Sequence, residues 1–136
     1  DLADAGEWVH KAANQHCADV LCVDLYDQDA AAPVLDSAEF YAGCRGVLQP
    51  GGVMSLNLFG RDSSFERSAG HVADAFGGDQ VWRLRPTREG NTVLIAGREL
   101  EVPSREGLLA RAANIERRYG ALGLAARKWL RMVQPL

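Results

Sequence analysis

Long apolar runs and paired cysteines are both missing from this sequence of 136 residues. No stretch approaches the roughly 18 apolar residues that a membrane-spanning helix needs, so no membrane span is expected. The three cysteines lie at positions 17, 22 and 44, and none belongs to a Cys-x-x-Cys pair. An odd number without that spacing argues against a disulfide framework and against a zinc site. We therefore expect no metal ion, and a reducing, cytoplasmic setting.

The composition is that of one domain with a buried core, at 47% hydrophobic and 24% charged residues. The charges are unevenly distributed along the chain. Residues 1–40 hold nine acids and one lysine, a balance of −8, whereas residues 98–136 hold eight bases and four acids, a balance of +4. An acidic half can attract a cationic substrate, although solvated faces explain most such charges. Aromatic residues are not interleaved with the bases, so no nucleic acid partner is expected.

Apolar periodicity predicts strands and helices in alternation. Strands are predicted from short apolar runs bounded by polar or turn residues, at 18–24, 53–58, 80–84 and 92–96. Helices are predicted behind capping residues at 4–13, 36–48 and 104–119, and from the sequence between turns or glycines at 65–76 and 121–133. The last two strands are close enough in sequence to form an antiparallel pair.

This alternation is typical of an α/β domain with a mostly parallel, Rossmann-like sheet. We expect residues 1–97 to form the sheet domain, with an antiparallel pair at its C-terminal end, and residues 98–136 to form a helical extension. In such sheets, ligands bind outside the carboxyl ends of the strands. That rule predicts that residues 24–27 and 57–60 lie at one functional edge.

Two motifs then resemble a known family. The first is Asp24-Leu25-Tyr26-Asp27 at the end of a strand, with Phe40-Tyr41 sixteen and seventeen residues after the first aspartate. The second is Leu48-Gln49-Pro50-Gly51-Gly52, a run shared by many methyltransferases, which indicates only the fold. Together with Asp4-Ala5 they resemble the C-terminal half of the class I S-adenosylmethionine-dependent transferase fold. More narrowly, residues 1–97 resemble the spermidine synthase-like aminopropyltransferases.

The resemblance implies transfer of an aminopropyl group from decarboxylated S-adenosylmethionine, or a reaction of S-adenosylmethionine itself, with a polyamine as the cationic substrate. An ammonium group is not nucleophilic, so a carboxylate must take its proton before the nitrogen can attack. The implied site residues are the catalytic base Asp24, the substrate-binding Tyr26 and Asp27, and the cofactor-binding Asp4, Ala5 and Leu25.

Three departures from the family pattern leave other functions open. The family's Pro and Gly residues after the second aspartate are replaced by Gln28-Asp29-Ala30, and Arg85-Pro86 stands where the family has Tyr-Pro. Both departures favour a methyltransferase on the same fold. The family's glycine-rich cofactor loop is missing, since no Gly-x-Gly-x-Gly run occurs. Its absence favours a non-catalytic, oligomerising fragment.

The first predicted strand has no inner neighbour within this sequence. It should therefore be an exposed apolar edge, and such edges pair with other chains. We expect an incomplete catalytic unit that forms a homo-oligomer or associates with a complementing chain.

Overall fold

The computed structural model describes residues 2–25, 34, 37–59, 63–86 and 90–136. The α-helices are α1 (Ala5–His10), α2 (Ala38–Val47), α3 (Ser63–Phe76), α4 (Arg105–Tyr119) and α5 (Ala126–Leu130). The strands are β1 (Ala18–Val23), β2 (Leu48–Phe59), β3 (Val81–Leu84), β4 (Asn91–Gly97) and β5 (Val133–Pro135). No helix in these ranges is long and apolar enough to cross a membrane.

Side-chain caps begin three of the helices, as the capping patterns predict. Asp4 before α1, Ser37 before α2 and Ser104 before α4 each accept the backbone N–H three residues further on, at 2.9, 3.2 and 3.2 Å. Such caps satisfy N–H groups that would otherwise lack a partner at a helix start. The first helix ends at His10, earlier than predicted, and the side-chain amide of Asn14 donates to a carbonyl of its last turn at 2.8 Å.

The five strands form one mixed sheet in the order β1-β2-β4-β3-β5. β1 and β2 are parallel, whereas the pairings β2–β4, β4–β3 and β3–β5 are antiparallel. The α/β class and the antiparallel β3–β4 pair are therefore confirmed. The expectation of a mostly parallel sheet is wrong for the described strands. The reason is that β4 turns back between β2 and β3, and β5 adds one more antiparallel pairing.

The C-terminal segment departs most from the prediction. The helix predicted for residues 121–133 is replaced by the five-residue α5 and by β5. Gly123 has a φ of 84°, a left-handed conformation that ends the short 3₁₀ turn after α4. β5 then pairs with β3, where Val133 lies opposite Leu84. This pairing joins residues far apart in sequence, so no local pattern indicates it.

Strand β2 begins at Leu48, earlier than predicted, and includes the Pro-Gly-Gly run. The backbone N–H of Gly51 donates to the carbonyl of Arg98 at 2.7 Å, and that of Arg98 donates to Gly52 at 2.9 Å. The Pro-Gly-Gly run follows the end of α2 and also continues the sheet hydrogen bonds of β2, because Arg98, directly after β4, pairs with Gly51 and Gly52. The Arg98 side chain fixes this end of the sheet by donating to the carbonyls of Arg45 and Leu48 at 3.3 and 2.7 Å.

The core lies between one face of the sheet and helices α1 to α3. Alternate side chains of the central strands are buried there: Met54, Leu56, Leu58, Leu94 and Ala96. The residues between them, including Val53 and Val93, are only half-buried. This period of two shows that one sheet face is covered more completely than the other. Within the described ranges, no residue beyond Ala96 belongs to the core cluster.

Candidate functional site

Two polar side chains meet at the carboxyl ends of the parallel strands. Asp24 directly follows β1, and Asn57 lies in β2 one residue beyond the pairing of Val23 with Leu56. Nδ2 of Asn57 donates a hydrogen bond to Oδ1 of Asp24 at 3.0 Å. The predicted convergence of these two segments is therefore confirmed for this pair.

This hydrogen bond uses Oδ1 of Asp24 and leaves the second carboxylate oxygen, Oδ2, available for a ligand. Asp24 is exposed, and its Oδ2 accepts no hydrogen bond from a described residue. An ionised carboxylate carries only acceptors, and an amide that donates through nitrogen keeps its own oxygen as an acceptor. The pair can therefore hold a cation or accept a proton while Asn57 fixes the orientation of Asp24.

Asp4 and Ala5 lie where α1 begins. Oδ1 of Asp4 caps the helix by accepting the N–H of Glu7 at 2.9 Å, and the side chain is exposed. The cap gives a complete structural reason for an aspartate at this position. Ligand binding by Asp4 remains a prediction.

An apolar cavity of about 240 Å³ lies between α1 and β1. Its walls are formed by Ala3, Ala5, Trp8, Val9, Leu21, Cys22, Val23, Leu25, Phe40 and Cys44. Two predicted cofactor residues, Ala5 and Leu25, are thus found in one cavity. Small-molecule sites are typically concave and mostly apolar, with a few polar groups that set the orientation of the ligand. Asp24 lies in the chain between two lining residues, Val23 and Leu25, and is not itself one of the lining residues.

Burial keeps one thiol of this cavity neutral. Cys44 is fully buried, and desolvation raises the pKa of its thiol to about 12. The thiolate is therefore absent near neutral pH, and Cys44 adds no charge to the lining of the cavity.

We expect iodoacetamide at pH 8 to label Cys17 and Cys22 in the folded chain and to spare Cys44. The first two thiols are exposed, whereas alkylation requires an accessible thiolate. Mass spectrometry of intact protein should give two adducts before unfolding in urea and three afterwards. Unfolding returns the pKa of Cys44 from about 12 to its ordinary value of 9.0. The stabilisation from the buried, protonated thiol is therefore complete below pH about 9 and is lost as the pH rises towards 12. A third adduct on the folded chain at pH 8 would contradict this assignment.

Two predicted substrate residues, Tyr26 and Asp27, lie outside the described residues and remain predictions. Among the described residues, no group of three or more His, Cys, Asp or Glu side chains could hold a metal ion.

Sequence reasoning missed one residue of the cavity. Trp8 packs against the core cluster and also lines the cavity. Its position three residues after Ala5 places both on one side of a helix, and this signal was present in the sequence. Cys22 belongs to an apolar run, which favours a packed side chain, but it is exposed on the outermost strand.

Comparisons with protein-family models and with curated proteins find no match. Solved structures do match. A spermidine synthase in complex with the transition-state analogue AdoDATO is 20% identical, with a TM-score of 0.61 over 74% of this chain. A spermidine synthase from Thermotoga maritima is 19% identical, with a TM-score of 0.55 over the same share.

The fold is spermidine synthase-like. At these identities the likeness concerns the fold alone. The chain spans 36% and 35% of the lengths of those two proteins. The predicted spermidine synthase-like fold is thus confirmed as a fold, whereas the domain boundary at residue 97 stays a prediction.

Proposed function

We propose that the chain carries the amine-activating part of a spermidine synthase-like aminopropyltransferase. The observation that carries the proposal is the Asp24–Asn57 hydrogen bond beside the apolar cavity, on a spermidine synthase-like fold. The co-substrate is decarboxylated S-adenosylmethionine and the acceptor is a polyamine. One of the two similar proteins holds AdoDATO, which supports an adenosyl-type ligand.

In the proposed reaction, Asp24 takes a proton from the substrate ammonium group. The freed nitrogen lone pair then forms a bond to the carbon next to the sulfonium, and the carbon–sulfur bond breaks with its electrons going to sulfur. A neutral thioether leaves, and the proton stays on Asp24 until solvent removes it. Asn57 keeps the carboxylate oriented, because its amide occupies one carboxylate oxygen. General base catalysis of this kind contributes factors of about 10² to 10⁴.

The remaining roles follow the family resemblance. We propose that Tyr26 and Asp27 hold the far end of the cationic substrate. Ala5 and Leu25 would contact the adenosyl group across the cavity walls, and Asp4 would accept a hydrogen bond from the adenine amino group. Because Oδ1 of Asp4 caps α1, its second oxygen would serve the ligand.

A methyltransferase is the second candidate, and Arg85 favours it. This exposed arginine follows β3 at the position where the family has a tyrosine. A guanidinium repels a diamine, whereas a methyl acceptor need not be cationic. We also propose that the chain is an incomplete unit that acts as an oligomer or with a complementing chain. Its three free thiols support a reducing, cytoplasmic setting.

Calorimetry with methylthioadenosine, decarboxylated S-adenosylmethionine and S-adenosylmethionine tests the proposal. We expect the first two to bind, and Leu25→Asp to weaken their binding at least tenfold by placing a charge in the apolar cavity. Val20→Asp is the matched control, because Val20 is 64% exposed and lies outside the cavity lining. Preference for S-adenosylmethionine would favour the methyltransferase. Failure of every adenosyl ligand to bind would favour the non-catalytic fragment.

A further inference from the structure

The pairing of β3 with β5 brings two arginines to neighbouring positions. Arg85 directly follows β3, and its backbone N–H donates to the carbonyl of Met132, directly before β5, at 3.2 Å. Arg131 precedes Met132 in the chain, so it lies beside Arg85 across this pairing. Both arginine side chains are exposed. Their guanidinium groups place two positive charges at this end of the sheet.

The sheet register places Arg85 at the same edge as the candidate site. Asp24 and Asn57 are joined by their hydrogen bond, and Asn57 pairs with Val93 of β4. The register of β4 with β3 puts Leu84, the last residue of β3, level with Val93. Because β3 runs in the same direction as β2, Arg85 lies at the carboxyl edge, one residue beyond this row. The backbones of β1 and β3 are three strand spacings apart, about 14 Å.

The charge of Arg85 has no protein partner within the described part of the chain. Arg85 forms no ion pair with any residue that the structure describes. The carboxylate of Glu116 is already held by Arg127, whose backbone N–H and Nε donate to it at 2.9 and 2.5 Å. These bonds, together with the charge of the nearby Arg131, lower the pKa of Glu116. A guanidinium without a carboxylate partner, beside a second cation, is a favourable position for an anionic group of a ligand.

We propose that the acceptor is a diamine that also carries a carboxylate, and that Arg85 is the specificity-determining residue that binds this carboxylate. The inference rests on the proposed function, because Asp24 receives the reacting ammonium group and Tyr26 and Asp27 keep their proposed role at the cationic end. A plain diamine offers only positive charges, which the two arginines repel. A carboxylate instead forms charge-assisted, bidentate hydrogen bonds with a guanidinium.

The spacing of the strands fits such an acceptor. The side chains of Asp24 and Arg85 both extend from backbones about 14 Å apart, and the arginine side chain is long. The space left between their charged ends suits a short aliphatic chain with an ammonium group at one end and a carboxylate at the other. The opposite charges of the two residues would then fix the direction in which the acceptor binds.

Matched pairs of amines test the inference. Ornithine is putrescine with one added carboxylate, and lysine has the same relation to cadaverine. Calorimetry with the full chain and saturating methylthioadenosine gives the dissociation constant of each amine. We expect ornithine and lysine to bind at least tenfold more tightly than putrescine and cadaverine.

Substitution of Arg85 should remove this preference. Arg85→Gln keeps the backbone N–H that donates to Met132 and loses the charge. It should weaken the binding of ornithine and lysine at least tenfold and tighten the binding of the two diamines, because the repulsion is gone. Arg85→Lys should keep part of the preference, since it keeps the charge without the bidentate geometry. Circular dichroism melts check that every variant is folded.

Two further variants separate this inference from the proposed function. Lys11→Gln removes an exposed positive charge from the chain that leads to the amino end of β1, and should leave all four dissociation constants unchanged. Asp24→Asn should weaken all four amines alike, because each presents an ammonium group. Equal or tighter binding of putrescine than ornithine by the wild type, or a preference that Arg85→Gln leaves unchanged, would overturn the inference and leave the proposed amine site in place. Binding of none of the four amines would overturn both.

Discussion

Asp24→Asn is expected to lower the rate of the proposed amine transfer by a factor of about 10² to 10⁴. Asparagine has the same shape as aspartate and keeps one side-chain oxygen. That oxygen can accept the hydrogen bond that Nδ2 of Asn57 donates to Oδ1 of Asp24 at 3.0 Å in the wild type. It cannot take a proton from an ammonium group at neutral pH. The rate should therefore fall while the melting temperature stays within a few degrees of the wild type. The measurement is single-turnover transfer from decarboxylated S-adenosylmethionine to putrescine or spermidine.

Asp19→Asn is the control for this variant. Asp19 is an exposed acid on the same strand, five residues before Asp24 and at the opposite end of β1. The Asp19→Asn variant should transfer the aminopropyl group at the wild-type rate. Equal loss in both variants would show that only the overall negative charge matters. Full activity in Asp24→Asn would exclude Asp24 as the base.

Leu56→Ala is expected to lower the free energy of unfolding by about 2 to 5 kcal/mol. Leu56 has 0% exposure and lies in the central strand β2, between Val23 of β1 and Leu94 of β4. Its removal leaves a cavity in the layer between the sheet and the helices. Urea denaturation followed by circular dichroism measures the change.

Val53→Ala is the matched control on the other face of the same strand. Val53 is half-buried, so its truncation should cost clearly less than the Leu56 change. Equal losses in the two variants would mean that both sheet faces are covered in solution, contrary to the alternating burial of β2.

Local patterns predicted the parts of the fold that depend on local rules. The contact between Asp24 and Asn57 follows from the rule that the carboxyl ends of adjacent parallel strands lie at one edge of a sheet. The helix caps at Asp4 and Ser37 follow from residue type alone. What was missed depends on contacts between distant residues. The pairing of Val133 with Leu84 joins distant residues, and the extension of β2 back to Leu48 requires Ala18 on one side and Arg98 on the other.

The residues of the candidate site divide in the same way, into those that sequence patterns predicted and those that depend on the arrangement of the strands. Ala5 and Leu25 were placed together by a family resemblance, and both line the cavity. The apolar run alone does not predict that Cys22 is exposed, because a short apolar run looks the same in a central strand as in an outermost one. Sequence periodicity predicts on which face of the sheet a side chain lies. The order of the strands determines whether that side chain is exposed to solvent.

The position of β4 has a consequence for the order of folding events. β4 pairs with β3 across a short connection, whereas its pairing with β2 begins with Phe59 and Asn91 and closes a loop of about thirty residues. Loop closure costs entropy before contacts repay it, so the β3–β4 hairpin should form early and the β2–β4 ladder late. The last step then inserts a preformed hairpin beside β2 and completes the centre of the sheet. Until that step, β2 has an open edge, and the nascent chain is most exposed to misassembly.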